Sequence, residues 1–437
     1  MKGLRSFLLL LIIAAALGGF LYYDSKKAPA DDKKQEKVFA DLEPDKIEQV
    51  TLKGASGEQA TVKKQGSAWQ VIAPAPAPAD EAELSGITSN LASLEVQRVI
   101  DEQASDFKEF GLDPARIQVS FKAGGKEQTL LLGQKTPTGA DIYARLPDKP
   151  RVFLVSSFLE ATFNKTAFDL RDKTILKIDR DKVDRLEIDG EKPVAFTKQG
   201  ADWRVARPFD ARADFGAIEG ILGRLNSTQM KSIAAADASE AKALKEYGLD
   251  RPVATVRVSS GSSQAGLAIG KSSGEGAVYA KDLSRPMVFT IESALADELK
   301  KPADDYRIKD LFDARAFNTT RVEIVRQGQT LTFEKDKDAW KQVTPAAKAA
   351  DTTKVEALLT ALSNTRAAGF ESKLASTGLE NPELTVSLKF EDGQKQEKVT
   401  FARKGAEAYA RRDGDAAAAK IDTPTLDGII KALDALK

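Results

Sequence analysis

Apolar residues recur along this chain in two rhythms that alternate in a fixed order. Stretches of period two, Ile117-Gln118-Val119-Ser120-Phe121, Ala254-Thr255-Val256-Arg257-Val258 and Leu384-Thr385-Val386-Ser387-Leu388, predict strands with one buried face. Stretches of helical period predict helices with one apolar stripe: Leu84, Ile87, Leu91 and Leu94; Phe215, Ile218, Ile221, Leu222 and Leu225; Val355, Leu358, Leu359 and Leu362. Asp80, Asp214 and Asp351, each after an alanine, precede these helices and suit the N-cap, where a carboxylate accepts from free amides.

The alternation is a repeat. Trp69, Trp203 and Trp340 are spaced by 134 and 137 residues, and each is followed by a proline, Pro74, Pro208 and Pro345. Gly111-Leu112-Asp113-Pro114, Gly248-Leu249-Asp250-Arg251-Pro252 and Gly378-Leu379-Glu380-Asn381-Pro382 read as helix stops. Tyr143, Tyr279 and Tyr409 close the three blocks. Each block has the size of an ordinary domain, about 130 residues. The expected organisation is module one over 44–176, module two over 177–313 and module three over 314–437. The expected fold class is α+β: in each module a mainly antiparallel sheet with helices on one face. In module one, a strand near Val96–Ile100 and a short helix near Ala104–Phe110 are expected between the first helix and the Gly111 stop. The run Ala73-Pro74-Ala75-Pro76-Ala77-Pro78 resembles a linker, but its counterparts are loops inside modules two and three.

Upstream, Ser6 to Tyr23 carries no charge and follows Lys2 and Arg5. The run is just long enough to cross a hydrocarbon core, and residues 1–23 read as a signal anchor. A cleaved signal peptide ending near Ala14-Ala15-Ala16 is the competing reading; the apolar run continues past that point to Tyr23. Residues 24–43 read as a flexible spacer. The body is then expected outside the cytoplasm, on the inner membrane.

Composition narrows the chemistry. Lys+Arg and Asp+Glu are both 65, so net charge is zero and no basic patch predicts nucleic-acid binding. The chain has no cysteine and no histidine. That removes disulfides, His/Cys zinc sites and every Ser-His or Cys-His catalytic arrangement. No catalytic, cofactor-binding or metal-binding residue is assigned.

Several motif look-alikes have plainer readings. Gly270-Lys271-Ser272-Ser273-Gly274 matches a nucleophile elbow, but a strand follows it and no histidine can serve it. Gly266 to Ser272 is one residue short of a phosphate loop, and with its counterpart Leu131-Leu132-Gly133 it reads as a strand-ending turn. Ser105-Asp106-Phe107-Lys108 and Ser239-Glu240-Ala241-Lys242 match Ser-x-x-Lys and read as charged helix faces. Asp304-Asp305 and Asp413-Gly414-Asp415 lack calcium-loop spacing. The tryptophans could stack on sugars; their fixed place at a strand end argues for core anchors. Arg171-Asp172-Lys173 and Arg307-Ile308-Lys309-Asp310 could face a partner or form a salt network at a domain junction.

The Trp strand, the Ala-Asp helix, the Gly-Leu-Asp turn, the Leu-Gly or Ile-Gly strand, the Tyr-Ala pair and the Arg-Asp-Lys close resemble the bacterial family called domain of unknown function 4340. Module three departs from that pattern with Thr400-Phe401-Ala402 and no Arg-Asp-Lys close. The resemblance implies an accessory of an ABC-transporter-like, gliding-motility-type envelope complex and carries over no catalytic residue. The expected function is that of a non-enzymatic scaffold whose partner is an inner-membrane transport complex, with residues 6–23 in the membrane. An envelope glycan- or peptide-binding protein using clefts between modules is a second expectation. A hydrolase working through carboxylates alone is a third.

Overall fold

A computed structural model of the chain describes residues 36–274 and 276–436. The expected membrane segment 6–23 lies outside them, as does the spacer up to residue 35. Among the described residues no helix is long and apolar enough to cross a membrane.

Module one shows the plan. Its strands are β1 (Ile47–Lys53), β2 (Gln59–Gln65), β3 (Ala68–Ala73), β4 (Ala77–Pro78), β5 (Arg98–Asp101), β6 (Ile117–Ala123), β7 (Lys126–Lys135), β8 (Asp141–Arg145) and β9 (Val152–Ser156). They form one sheet in the order β4-β3-β2-β1-β6-β7-β8-β9-β5, antiparallel at every pairing. The chain meanders from the centre to one edge and crosses the sheet through helix α1 (Glu81–Ala92) to β5. It then returns to the centre at β6 and meanders out to rejoin β5. Modules two and three repeat the order in nine-stranded sheets running from Arg185–Gly190 to Val288–Glu292 and from Thr319–Arg326 to Ala418–Ile421. The described chain divides into two compact units, one up to Lys173 and one from Thr174 that holds modules two and three.

The helix pattern has the expected cause. Asp80 Oδ1 accepts from Ala82 N and Glu83 N at 3.0 Å, and Asp214 Oδ1 accepts from Ala217 N at 2.8 Å. Asp351 Oδ1 accepts from Thr353 N at 3.0 Å. Leu84, Ile87 and Leu91 are fully buried against the sheet, as are Ile218, Ile221, Leu222 and Leu225. Each such side chain contributes about 1.5–3 kcal/mol.

Strand alternation serves two cores in each of the first two modules. On β7, Leu130 and Leu132 enter the main core under the helix. Leu131, between them, joins a smaller cluster on the other face with Ala104, Leu112 and Val152, edged by Phe110 and Tyr143. Module two repeats that cluster with Ala238, Leu249, Ala268 and Val288, and its Tyr247 and Tyr279 rings lie 4.9 Å apart.

Three expectations need correction. The molecule is mostly sheet, with only seven short helices among the described residues, so α+β overstates the helical part. No helix forms over Ala104–Phe110: Asp106 Oδ1 accepts from Lys108 N at 2.9 Å, a local turn that competes with helix. Module two, with the strong helix formers Ala241-Lys242-Ala243-Leu244-Lys245-Glu246, does make the helix, and module three makes only a 3-10 turn at Leu374–Ser376. Gly133 and Gly270 do not end strands. The strands Lys126–Lys135 and Ser263–Gly274 run through them with register shifts. A Cβ on Gly133 would sit 2.1 Å from Phe110 O, and one on Gly270 would sit 2.2 Å from Tyr247 O.

Candidate interaction surface

The three tryptophans occupy equivalent places in their modules and differ at the indole nitrogen: Trp203 Nε1 donates to Glu219 at 3.4 Å, whereas Trp340 Nε1 is buried without a partner among the described residues. Each is buried, at 5 %, 2 % and 1 % exposure for Trp69, Trp203 and Trp340. Each is paired across its hairpin with a lysine whose ammonium lies over the ring: Lys64 at 5.3 Å, Lys198 at 5.7 Å and Lys335 at 6.0 Å. The proline that ends each strand follows a cis bond, at Ala73-Pro74, Arg207-Pro208 and Thr344-Pro345. These rings are therefore core anchors and offer no face for a ligand.

The polar residues of the module closes form extended straps. In the first unit, Asp80 N donates to Leu170 O and Asp172 N donates to Pro78 O, both at 2.9 Å, with Ala79 opposite Arg171. In the second unit, Asp214 N donates to Tyr306 O at 2.7 Å and Ile308 N to Arg212 O at 3.1 Å, with Ala213 opposite Arg307. Leu170 and Tyr306 are buried at equivalent places. The Tyr306 hydroxyl donates to Glu298 O at 2.7 Å, and burial pushes its pKa up. The strap then continues into module three: Leu311 N donates to Thr365 O at 3.1 Å, and Ala367 N to Lys309 O at 2.8 Å.

A strap also opens each module. Lys37 lies opposite Glu95, Thr174 opposite Gln229 and Asp310 opposite Arg366. Phe39, Leu176 and Phe312, two residues on in each case, are buried. Residues 36–39, expected as spacer, are thus part of module one. Phe39 packs edge-on against Phe121 at 4.9 Å, and Glu36 forms a bidentate pair with Arg151 at 2.6 and 2.7 Å. A large aromatic ring anchors a segment that its charged neighbours make look solvated.

Charge is concentrated where modules two and three join. Arg307, expected at a junction salt network, stacks 3.4 Å from the Phe370 ring centroid and 5.0 Å from that of Phe209, and pairs with Asp304 at 3.2 Å. Glu397 has a fully buried side chain and accepts from Asp313 N at 3.0 Å and Ala314 N at 2.9 Å. Arg412 Nη1 stands 2.9 Å from Glu397 as an ion pair whose geometry is not that of a hydrogen bond. Arg412 also pairs with Asp313 at 2.7 Å, and Arg212 reaches Asp313 at 3.1 Å. Burial pushes the Asp313 carboxyl up, but Arg412 and Arg212 outweigh it and hold its pKa below the usual aspartate value. A carboxylate depressed in the fold contributes stability above its unfolded pKa, and that contribution is lost as pH falls through its folded pKa. The thermal midpoint of the second unit should therefore drop as pH falls below about 4, and Asp313→Asn should flatten that limb of the profile. Thermal melts across that range check this, and an unchanged acid limb in the variant would contradict it.

The remaining look-alikes are structural. Ser272 Oγ donates to Ala277 O at 3.4 Å inside a hairpin, with no helix following. Ser239 Oγ donates to Asp237, and Ser105 lies in a turn. Asp304 pairs with Arg307, and Asp415 O accepts from Arg411 Nε at 2.8 Å. Among the described residues no group of three acidic side chains could hold a metal. A cavity between modules two and three, lined by Phe209, Arg307, Phe370 and Ser372, has a volume of about 180 Å3. Ligand pockets usually run from about 300 to 1,000 Å3, so this cleft is small for one. Module one carries wider, open grooves of about 400 and 510 Å3.

Among protein families, residues 69–202 and 203–382 match the model described as "Domain of unknown function (DUF4340)". Both matched segments begin on a tryptophan, on the strand next to one edge of a sheet, so the matched copies cut across the structural modules. No curated protein matches the chain. Among solved structures, the DNA polymerase sliding clamp from Pseudomonas aeruginosa with ligand is similar at 8 % identity and TM-score 0.17, covering 89 % of this chain and 93 % of that one. The same organism's DnaN sliding clamp (DNA polymerase III subunit beta) bound to griselimycin matches at 9 % and 0.16, covering 89 % and 92 %. Likeness at these scores carries no argument about fold or function.

Proposed function

Since this chain belongs to the family of the domain of unknown function DUF4340, which it carries in tandem, we propose that it is a non-enzymatic scaffold, anchored through residues 6–23 and working outside the cytoplasm as an accessory of a transporter-type envelope complex. The observation that carries this reading is what the buried polar groups do. Arg307, Glu397, Arg412 and the amides of Leu311 and Ala367 are spent on holding module two to module three. A protein that works by spacing and presenting surfaces needs that rigidity, and its sequence supplies no histidine or cysteine for reaction chemistry. The uncharged run Ser6–Tyr23 supports the tether.

The test is chemical cross-linking in intact cells followed by purification of the full chain. The expected result is recovery of an integral membrane protein of the transporter class in comparable amount. Recovery of none, with cross-linkers of two lengths, would contradict the reading.

A further inference from the structure

Among the described residues, no strap lies on the corresponding edge of module three. Ala349 O and Asp351 N occupy the places of Pro78 O and Asp80 N in module one, and of Arg212 O and Asp214 N in module two. In modules one and two those four groups hold straps. Neither Ala349 O nor Asp351 N has a partner among the described residues, and Ala346 to Ala349 are exposed. An unpaired edge of this kind is a template for an added extended segment.

One replacement on the edge indicates what it takes. Extending the bridges Ala79–Arg171 and Ala213–Arg307 by two residues sets Ala77 opposite Lys173 and Ala211 opposite Lys309. Both alanines are buried, whereas module three has an exposed lysine, Lys348, at that place. A strap of the internal kind would set lysine against Lys348, and like charges directly opposite are unfavourable where opposite charges help. The fitting occupant has a carboxylate there and a cation two residues earlier, opposite Ala350.

This chain has such a segment. The bridge Lys37–Glu95 corresponds to Thr174–Gln229, so in sequence Lys34 aligns with Arg171 and Arg307, and Glu36 aligns with Lys173 and Lys309. Glu36 pairs with Arg151, yet its side chain stays 57 % exposed and can meet a second cation. We propose that the open edge of module three binds the Lys33–Glu36 segment of a second copy of this chain, so that the protein associates head to tail. The contact is heterologous and extends into chains or rings instead of closing at a dimer. The proposal deepens the reading of the protein as a scaffold acting through its surfaces.

Because the chain has no cysteine, two introduced ones report the contact alone. The full-length double variant Lys34→Cys/Ala350→Cys, oxidised in its membrane, should run as a ladder of dimers, trimers and larger species on a non-reducing gel. Lys34→Cys mixed with Ala350→Cys should stop at dimers. Lys348→Glu in the double variant should cut the ladder several-fold. Three results would overturn the proposal: no ladder, an equal ladder from Lys34→Cys/Gln394→Cys, or a monomer band with both thiols consumed. A ladder without a co-purified transport protein would count against the proposed complex and leave self-association standing. A co-purified transport protein without a ladder would do the reverse.

Discussion

Gly270→Ala is expected to destabilise the second unit by about 3 kcal/mol or more, a large effect for one methyl group. The added Cβ would lie 2.2 Å from Tyr247 O, a backbone atom that cannot swing aside. That carbonyl accepts from Lys271 N at 3.0 Å, so relief of the clash also breaks the bond that seats the Gly248 turn on the sheet. Gly248 itself sits at φ +69°, a conformation in which a side chain is strained. Gly133→Ala should behave alike in module one, where Gln134 N donates to Phe110 O at 2.9 Å. Module three is the natural control: Ala402 stands at the matching place, fully buried, and its Leu374–Ser376 turn differs from the other two. Ala402→Gly should cost only about 1 kcal/mol. Denaturant melts of the three variants decide it. A loss under about 1 kcal/mol for Gly270→Ala would mean that the turn does not press on the strand as described.

Trp203→Ala should cost about 3–5 kcal/mol, the range for deleting a large buried ring. Its ring fills the space between the hairpin and the helix Phe215–Ser227, and its Nε1 donates to Glu219 at 3.4 Å. The loss of Lys198 above the ring adds little, because the ammonium lies 5.7 Å from the ring centroid, near the outer limit for such a contact. Trp69→Ala and Trp340→Ala should fall in the same range if the three places are equivalent. Denaturant unfolding followed by circular dichroism checks all three. A spread of more than about 3 kcal/mol among them would contradict their equivalence.

Much of this arrangement is legible in the sequence because it is local. The tryptophans, the aspartate caps and the glycine stops report their neighbours along the chain, and three copies make each signal repeat. The straps are less legible. Leu170 to Lys173 and Tyr306 to Asp310 have no periodicity, and their roles rest on backbone bonds to residues far away in sequence. Residues 36–39 read as spacer since the signal of Glu36 and Lys37 outweighs that of one phenylalanine. Glu397 looks like a solvent-facing charge although parity marks it: it falls two and four residues before Val399 and Phe401, both inward-facing on the strand Lys395–Lys404. Its burial becomes reasonable only once Asp313 N, Ala314 N and Arg412 are seen to converge on it. Lys348 carries the same lesson, since its importance lies in Ala77 and Ala211 holding its place in the other modules.

The proposed function requires a body held outside the cytoplasm by the N-terminal segment. A single Ser67→Cys variant tests this, because Ser67 is exposed in a tight turn and no other thiol competes. A membrane-impermeant maleimide added to intact cells with an opened outer envelope should label the chain before lysis, with the labelled protein in the membrane fraction. Labelling only after lysis, with the intact chain in the cytosolic fraction, would contradict it.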